Sequence, residues 1–278
     1  MALDPIAKTA WYGCGIRAAD ARSKAPICGD KLAERFMTAE ATAVYEQFKK
    51  LKNRNASNVT RHRIIDDLLR ARLRDDAGLR VLLLGAGFDT RAFRLQGGDW
   101  LELDQLPIIE QKEGALPSER SPNPLRRIGI DFEPASLEVA LSVWGEARPT
   151  VVVMESVSMY LDDSQLSQTL ELLRRLMPGH LLICDLVNRQ FVRRHASGMR
   201  KRVGALGGRF AAPHDDPAAF VVHQGYEEEQ RISIAGRAVA LKAVGTPKWL
   251  LDSLFKSLRD GYQVHVFRDL NGRSPSPR

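Results

Sequence analysis

The stretch Val81–Leu95, VLLLGAGFDTRAFRL, decides how the chain is read. An apolar run ends in Gly85-Ala86-Gly87, followed by Phe88, Asp89 and Thr90. In an open α/β sheet, ligands bind beyond the carboxyl ends of the strands. Glycine there permits a sharp turn and close approach of a ligand to the backbone. A dinucleotide fingerprint reads G-x-G-x-x-G, and here Thr90 stands in place of the third glycine. Asp89 falls where a pyrophosphate wants helix N–H groups and positive charge. An acid at that spot repels phosphate and suits a cation. S-adenosylmethionine has no phosphate and carries a sulfonium and an α-ammonium. The turn therefore argues against NAD and for S-adenosylmethionine.

The next three strand candidates extend the pattern. WLELD ends in Asp104, and a carboxylate at the tip of a second strand can accept both ribose hydroxyls. Glu102 lies on the same face and is the runner-up. A cap for the helix at Gln105 is the alternative reading of Asp104. GIDFEP closes the third strand, with Asp131 placed for an adenine amino group and Phe132 for its face. MESVSMYL closes the fourth, with Glu155 facing the same cleft. Chance supplies one or two such strand ends; four in register make a site. The predicted cofactor contacts are Arg61, Gly85, Ala86, Gly87, Asp89, Asp104, Gln105, Asp131, Phe132, Glu155 and Ser156.

Before residue 79 the apolar spacing is helical, most clearly in VTRHRIIDDLLRARLRDDAG, with Gly78 as a stop. DKLAERFM and ATAVYEQFKKLKN also read as helices. After it, apolar runs alternate with helical segments, which implies a parallel sheet covered on both faces. YEEEQRISIAG and YQVHVFRDL read as terminal strands, with DPAAFVVHQG and PKWLLDSLFKSLRDG as helices. The expected fold is α/β, a doubly wound, Rossmann-like class I methyltransferase sheet. It has seven mostly parallel strands and an antiparallel terminal strand, although an ordinary doubly wound dehydrogenase begins the same way. One domain spans 1–278. It divides into a helical cap (1–78), a cofactor-binding core (79–187), a lid insertion (188–213), a sheet completion (214–270) and a disordered tail (271–278).

Of the 278 residues, 44% are hydrophobic and 27% charged, enough for a large core and too apolar for disorder. No segment approaches a membrane span and no basic leader is present, so a soluble cytoplasmic protein without membrane partners is expected. Cys14, Cys28 and Cys184 match no zinc or redox spacing and read as free thiols, with no metal implied. The net charge of +7 permits nucleic acid, an anionic small substrate or an acidic carrier protein. Arg189, Arg193, Arg194, Arg200, Lys201, Arg202 and Arg209 follow one another with no acid between. The stretch has one aromatic towards each end, Phe191 and Phe210, and none between those two, which disfavours nucleic acid.

LLLGAGFDTRAFRL, LELDQLPIIEQK, IGIDF and VVVMESVSMYL together resemble the leucine carboxyl methyltransferase family, in its bacterial polyketide O-methyltransferase branch. The likeness runs from about Thr9 to Val187 and includes TAWYGCGIRAADARSKAPICGDKLAERF and NVTRHRIIDDLL. It implies S-adenosylmethionine-dependent methyl transfer to oxygen, often of a carboxylate. It also implies that Arg17 and Arg61 lie near the methionine carboxylate or the acceptor, and that Glu155 lies beside the methionine moiety. Gly85 would contact the cofactor backbone, Asp104 the ribose, and Asp131 and Phe132 the adenine. Tyr160 would face the acceptor pocket, making Arg17, Arg61 and Tyr160 the expected catalytic group. Two departures stand out. Many bacterial relatives have Glu-Gly where this chain has Glu155-Ser156, and often Glu-Ser where it has Asp20-Ala21. From helical spacing alone, Arg61 would pair with Asp66 or Asp67.

Methyl transfer is an in-line displacement whose main demand is alignment. A carboxylate acceptor is ionised at neutral pH and needs positioning cations, not a base. A phenol or alcohol needs a base, for which His62, His195, His214 and Tyr160 are the candidates. The basic segment from Asn188 would suit an anionic acceptor, free or presented on an acidic carrier. The expected activity is thus O-methylation of a small polyketide-like carboxylate or hydroxyl. The alternatives are a carboxyl methyltransferase acting on protein termini, and a non-catalytic cofactor- or RNA-binding module.

Overall fold

The computed structural model describes residues 7–49, 52–144, 148–196, 198, 204 and 214–272. Five parallel strands come first: β1 (Arg80–Leu84), β2 (Asp99–Asp104), β3 (Leu125–Gly129), β4 (Thr150–Met154) and β5 (Leu181–Val187). With β6 (Tyr226–Ser233) and β7 (Tyr262–Asp269) they form one sheet in the order β3-β2-β1-β4-β5-β7-β6. β7 inserts between β5 and β6 and runs antiparallel to both. The order reverses between β1 and β4, the switch point where an open sheet leaves a crevice for ligands.

The helices before the sheet are α1 (Ala7–Ala21), α2 (Ala39–Phe48) and α3 (Lys52–Asp75), with a 3-10 turn at Lys31–Phe36. Each parallel strand is then followed by a helix: α4 (Arg91–Arg94), α5 (Leu106–Ala115), α6 (Pro134–Ser142), α7 (Asp163–Leu176) and α8 (Arg189–His195). The last four are α9 (Pro217–His223), α10 (Ile234–Ala240), α11 (Lys248–Ser253) and α12 (Lys256–Asp260).

Alternation along the strands divides the core. Val81 and Leu83 pack with Ile65, Leu69 and Leu73 of α3 on one face of the sheet. Leu82 and Leu84 pack with Leu137, Leu170 and Leu173 on the other. Successive side chains point to opposite faces, so a strand covered on both sides must be apolar throughout. A third cluster joins Trp11, Ile16 and Phe36 to Phe88 and Ile108, fastening the N-terminal helices to the strand ends. The start of α7 carries a capping box: Asp162 accepts from the Gln165 backbone, and the Gln165 side chain from the Asp162 backbone.

Several expectations are corrected. PKWLLDSLFKSLRDG does not form one helix; α11 and α12 are separated at Leu254 and Phe255. DKLAERFM closes as a 3-10 turn. Leu270–Gly272 forms a 3-10 turn where a tail was expected, and 273–278 lie outside the described residues. The expected lid begins as α8, but most of 197–213 lies outside the described residues.

Glu102 is no ribose ligand. It is fully buried beside Lys112 Nζ (2.8 Å) and Arg127 Nε (2.7 Å), where it ties β2 to α5 and β3. Removing one partner of a buried ion pair strands the other charge, at a cost of about 3–5 kcal/mol. Glu102→Ala is therefore expected to lower the urea-unfolding free energy by about that amount, and an unchanged midpoint would contradict this role.

Candidate active site

All of the predicted site residues line one cavity of about 850 Å³ at the carboxyl ends of β1 to β4. Gly85 takes φ +72°, and a Cβ there would stand 2.4 Å from Val157 Cγ2, so only glycine serves. The turn folds back on β2: the Gly85 and Ala86 N–H groups both donate to the Leu103 carbonyl. Gly87 N–H donates to Asp104 Oδ2 (2.6 Å), and Gln105 N–H to Oδ1 (2.7 Å). Asp104 thus holds the turn and the start of α5 at once, and each oxygen can still accept a second bond. Burial pushes its carboxyl above the ordinary range, and the two N–H donors offset this only in part.

The other two strand ends carry strain. Phe132 and Ser156 adopt φ of +63° and +60°. Left-handed backbone costs a non-glycine residue about 1–2 kcal/mol. Ser156 is held there by its N–H donating to Asp185 Oδ1 (2.6 Å). A glycine at position 156 would adopt the same φ without that cost. Asp131 is exposed and accepts from the Glu133 N–H through Oδ1.

Beneath the cavity lies a network of buried ions. Arg91 is fully buried and reaches Asp66 (2.7 Å), Asp89 (2.5 Å), Glu155 (2.8 Å) and His62 Nδ1 (2.7 Å). Arg61 donates to Glu155 (2.9 Å), to the Tyr262 hydroxyl and, more distantly, to Asp185 (3.4 Å). Arg94 joins Asp66 to Thr90 and His62, and Arg17 joins Asp30 to the Phe88 carbonyl. Burial alone would raise the Glu155 carboxyl, but the Arg91 and Arg61 guanidinium groups outweigh it and hold the group well below its usual range. Asp66 and Asp30 are depressed likewise, against burial, by Arg91 with Arg94 and by Arg17 with Arg94 respectively.

This network revises several roles. Arg61 pairs with Glu155 and Asp185, 94 and 124 residues away, not with Asp66 or Asp67. Asp89 lines the cavity, but the cation its carboxylate meets is Arg91, which the sequence places two positions later. Ligand atoms of His62, Asp89 and Glu155 lie within 4.8 Å of one another, and the Arg91 guanidinium contacts each of these side chains. Asp20 accepts the N–H groups of Ile27, Cys28 and Gly29 and shapes a loop outside the cavity lining. His62 is enclosed in the network, and His214 pairs with Asp163 (2.9 Å). Among the described residues, His195 is the candidate histidine that lines the cavity, where it also meets Ser257 Oγ (3.2 Å). Tyr160 lines it as well, with its hydroxyl pushed up by burial.

Sequence reasoning missed Asp30, Asp66, Arg91, Arg94, Asp185 and Tyr262 as parts of this assembly. Two signals were present. Arg91 and Arg94 are spaced to share one side of a helical turn, and Asp185 is an acid inside the otherwise apolar strand LLICDLV. A charge there requires a buried partner.

The sheet order and the strand-end cavity define an S-adenosylmethionine-dependent methyltransferase of class I. The chain belongs to the leucine carboxyl methyltransferase family, whose model matches residues 10–174. A Mycobacteroides abscessus protein named as an S-adenosyl-L-methionine-dependent methyltransferase is 25% identical over 86% of this chain and 84% of its own length. A Streptomyces coelicolor protein named likewise is 35% identical over 44% and 43%. A solved DUF574 family protein from Streptomyces avermitilis superposes with a TM-score of 0.61 and 13% identity, covering 92% of this chain and 96% of its own, which places the fold. S-adenosylmethionine is the cofactor. The site fits it: the cavity is large enough for cofactor and acceptor together, and an acceptor-rich carboxylate sits at the end of β2.

Burial, reinforced by Arg91, depresses the His62 pKa below its usual 6.5, and burial acts alike on His180 and His265. The unfolded chain takes up protons near pH 6.5 that these rings refuse, so stability falls as pH drops from 7.5 to 5.5. The slope is at most about 1.4 kcal/mol per pH unit for each ring. Urea unfolding across this range should show the decline, and His62→Gln should make it shallower. Stability that rises toward pH 5.5 would contradict the assignment. The depressed carboxylates add their own loss only below about pH 4.5.

Proposed function

We propose that the chain is an O-methyltransferase acting on a small anionic carboxylate, polyketide-like in its apolar body. It works in the cytoplasm, where Cys14, Cys28 and Cys184 stay free, and its acceptor is free or carrier-bound. The observation that carries this reading is that Arg17 and Arg61 line the same cavity as the four strand ends. The bonds of Arg61 use Nε and Nη1, and those of Arg17 use Nε and Nη2. One guanidinium nitrogen of each is left to donate to a carboxylate. The far side of the cavity, lined by Ala238, Val239, Leu251, Phe255 and Leu258, suits an apolar body.

When bound, S-adenosylmethionine supplies a methyl group on a sulfonium, activated for displacement. The chain's own task is alignment. Asp104, with an acceptor site left on each oxygen, is placed to take the ribose hydroxyls, and Asp131 and Phe132 to flank the adenine. Glu155 stays ionised beside Arg61, so this end of the cavity offers an acid to an ammonium and a guanidinium to a carboxylate. Tyr160 borders the acceptor side.

An already ionised acceptor needs no base. A hydroxyl acceptor is the second reading, and His195 in the cavity lining favours it by offering a proton acceptor.

The test is to incubate radiolabelled cofactor with small-molecule and protein fractions of a host extract. Label should enter the small-molecule fraction and be released as methanol by mild base, as an ester requires. Arg61→Ala should lower that turnover at least 100-fold, about 2.7 kcal/mol of alignment. Label in protein termini would support terminal carboxyl methylation instead. A base-stable product that depends on His195 would support the hydroxyl reading.

A further inference from the structure

The helical reading of residues 247–261 buries their apolar side chains, but the structure leaves three in solvent. Trp249 is 68% exposed, Leu254 75% and Phe255 39%, while Leu251 between them is buried. Leu254 and Phe255 stand at the break between α11 and α12, and Trp249 projects from α11 itself. The other three tryptophans, Trp11, Trp100 and Trp144, are all buried. A cluster of large exposed apolar residues on a soluble chain marks a contact surface.

The surroundings are basic. Helix α8 and residues 241–261 together carry seven Lys or Arg and two Asp. The two elements adjoin: His195 at the end of α8 meets Ser257 in α12. Arg193, Arg194, Lys248 and Lys256 are exposed, whereas both aspartates are engaged by Arg259. Bulky apolar tips ringed by Lys and Arg are what an anionic lipid interface accommodates: rings and chains enter the headgroup layer, and cations meet lipid phosphates. The patch also opens onto the site, because Phe255 and Arg194 are at once exposed and part of the cavity lining.

The geometry points to a peripheral membrane-docking surface formed by α8, α11 and α12, through which an amphiphilic acceptor passes from an anionic bilayer into the cavity. This proposal departs from the expectation of no membrane partner. Among the described residues no helix is long and apolar enough to cross a membrane, and docking at the interface needs none. The inference deepens the proposed reading by naming where the acceptor comes from. Docking itself is measured without turnover, so its failure and the failure of the methylation reading can be told apart.

The full chain is mixed with vesicles of phosphatidylglycerol and phosphatidylcholine in equal parts, and with phosphatidylcholine alone. The protein is expected to sediment with the anionic vesicles and to release from them at high salt. Its tryptophan emission should shift to the blue, a signal that Trp249 supplies because the other three are already buried. Trp249→Ala/Leu254→Ala is expected to lower the partition coefficient at least tenfold, about the effect of removing two large apolar side chains from an interface. Lys248→Glu/Lys256→Glu should lower it several-fold. Both variants should still bind S-adenosylmethionine, showing that they fold. Failure to sediment with anionic vesicles would overturn the proposal. So would partition unchanged in the Trp249/Leu254 variant, or use of the same residues to bind an acidic acyl carrier protein in place of lipid.

Discussion

The site depends on one buried cation. Arg91 has no solvent exposure, yet it meets carboxylates from α3, from the glycine turn and from the end of β4. Placing so many charges out of water costs several kcal/mol per ion, recovered only where geometry and hydrogen bonding are nearly complete. The payoff is position. Because Asp66, Asp89 and Glu155 share one guanidinium, α3 and two strand ends cannot shift independently. Glu155 is also kept ionised in a place where burial by itself would protonate it.

The same device is repeated outward. Arg94 shares Asp66 with Arg91, and Arg17 and Arg94 share Asp30. Arg61 carries the chain of contacts to Asp185 and Tyr262 on the antiparallel side of the sheet. Helices that precede the sheet in sequence thereby become walls of the cavity. Arg17 and Arg61 border it while their remaining bonds hold the scaffold. A side chain pinned by two partners loses little entropy when it meets a third, which is how a rigid site aligns reacting groups.

Much of this was legible in the sequence. Continuous apolar runs such as VVVM are what strands buried on both faces require, so the parallel sheet followed from hydrophobic pattern. The strand ends were legible too, because glycine and acids interrupt those runs at the position where a ligand crevice forms. What pattern could not supply was partnership. Arg61 stands five and six residues before Asp66 and Asp67 on its own helix, and no local rule prefers Asp185, 124 residues on, over either. Asp89 reads as a ligand-facing acid until the fold brings Arg91 back onto it. Glu102 and Asp104 share a face of β2, and only packing shows that Lys112 and Arg127 claim the first. The split between α11 and α12 was hidden for another reason: helical periodicity runs unbroken through Leu254 and Phe255, and only tertiary context turns them outward.

The ends of β1 to β4 are proposed to hold the cofactor, with Asp104 as its ribose acceptor. Calorimetric titration of S-adenosylhomocysteine into the protein and into Asp104→Asn is the direct test, since the amide keeps the size, loses the charge and turns one acceptor oxygen into a donor. One equivalent is expected to bind the wild-type chain, with affinity at least tenfold weaker in the variant, the worth of about 1.5–3 kcal/mol for a bond to a charged group. Equal affinity in the two proteins, both folded, would contradict it.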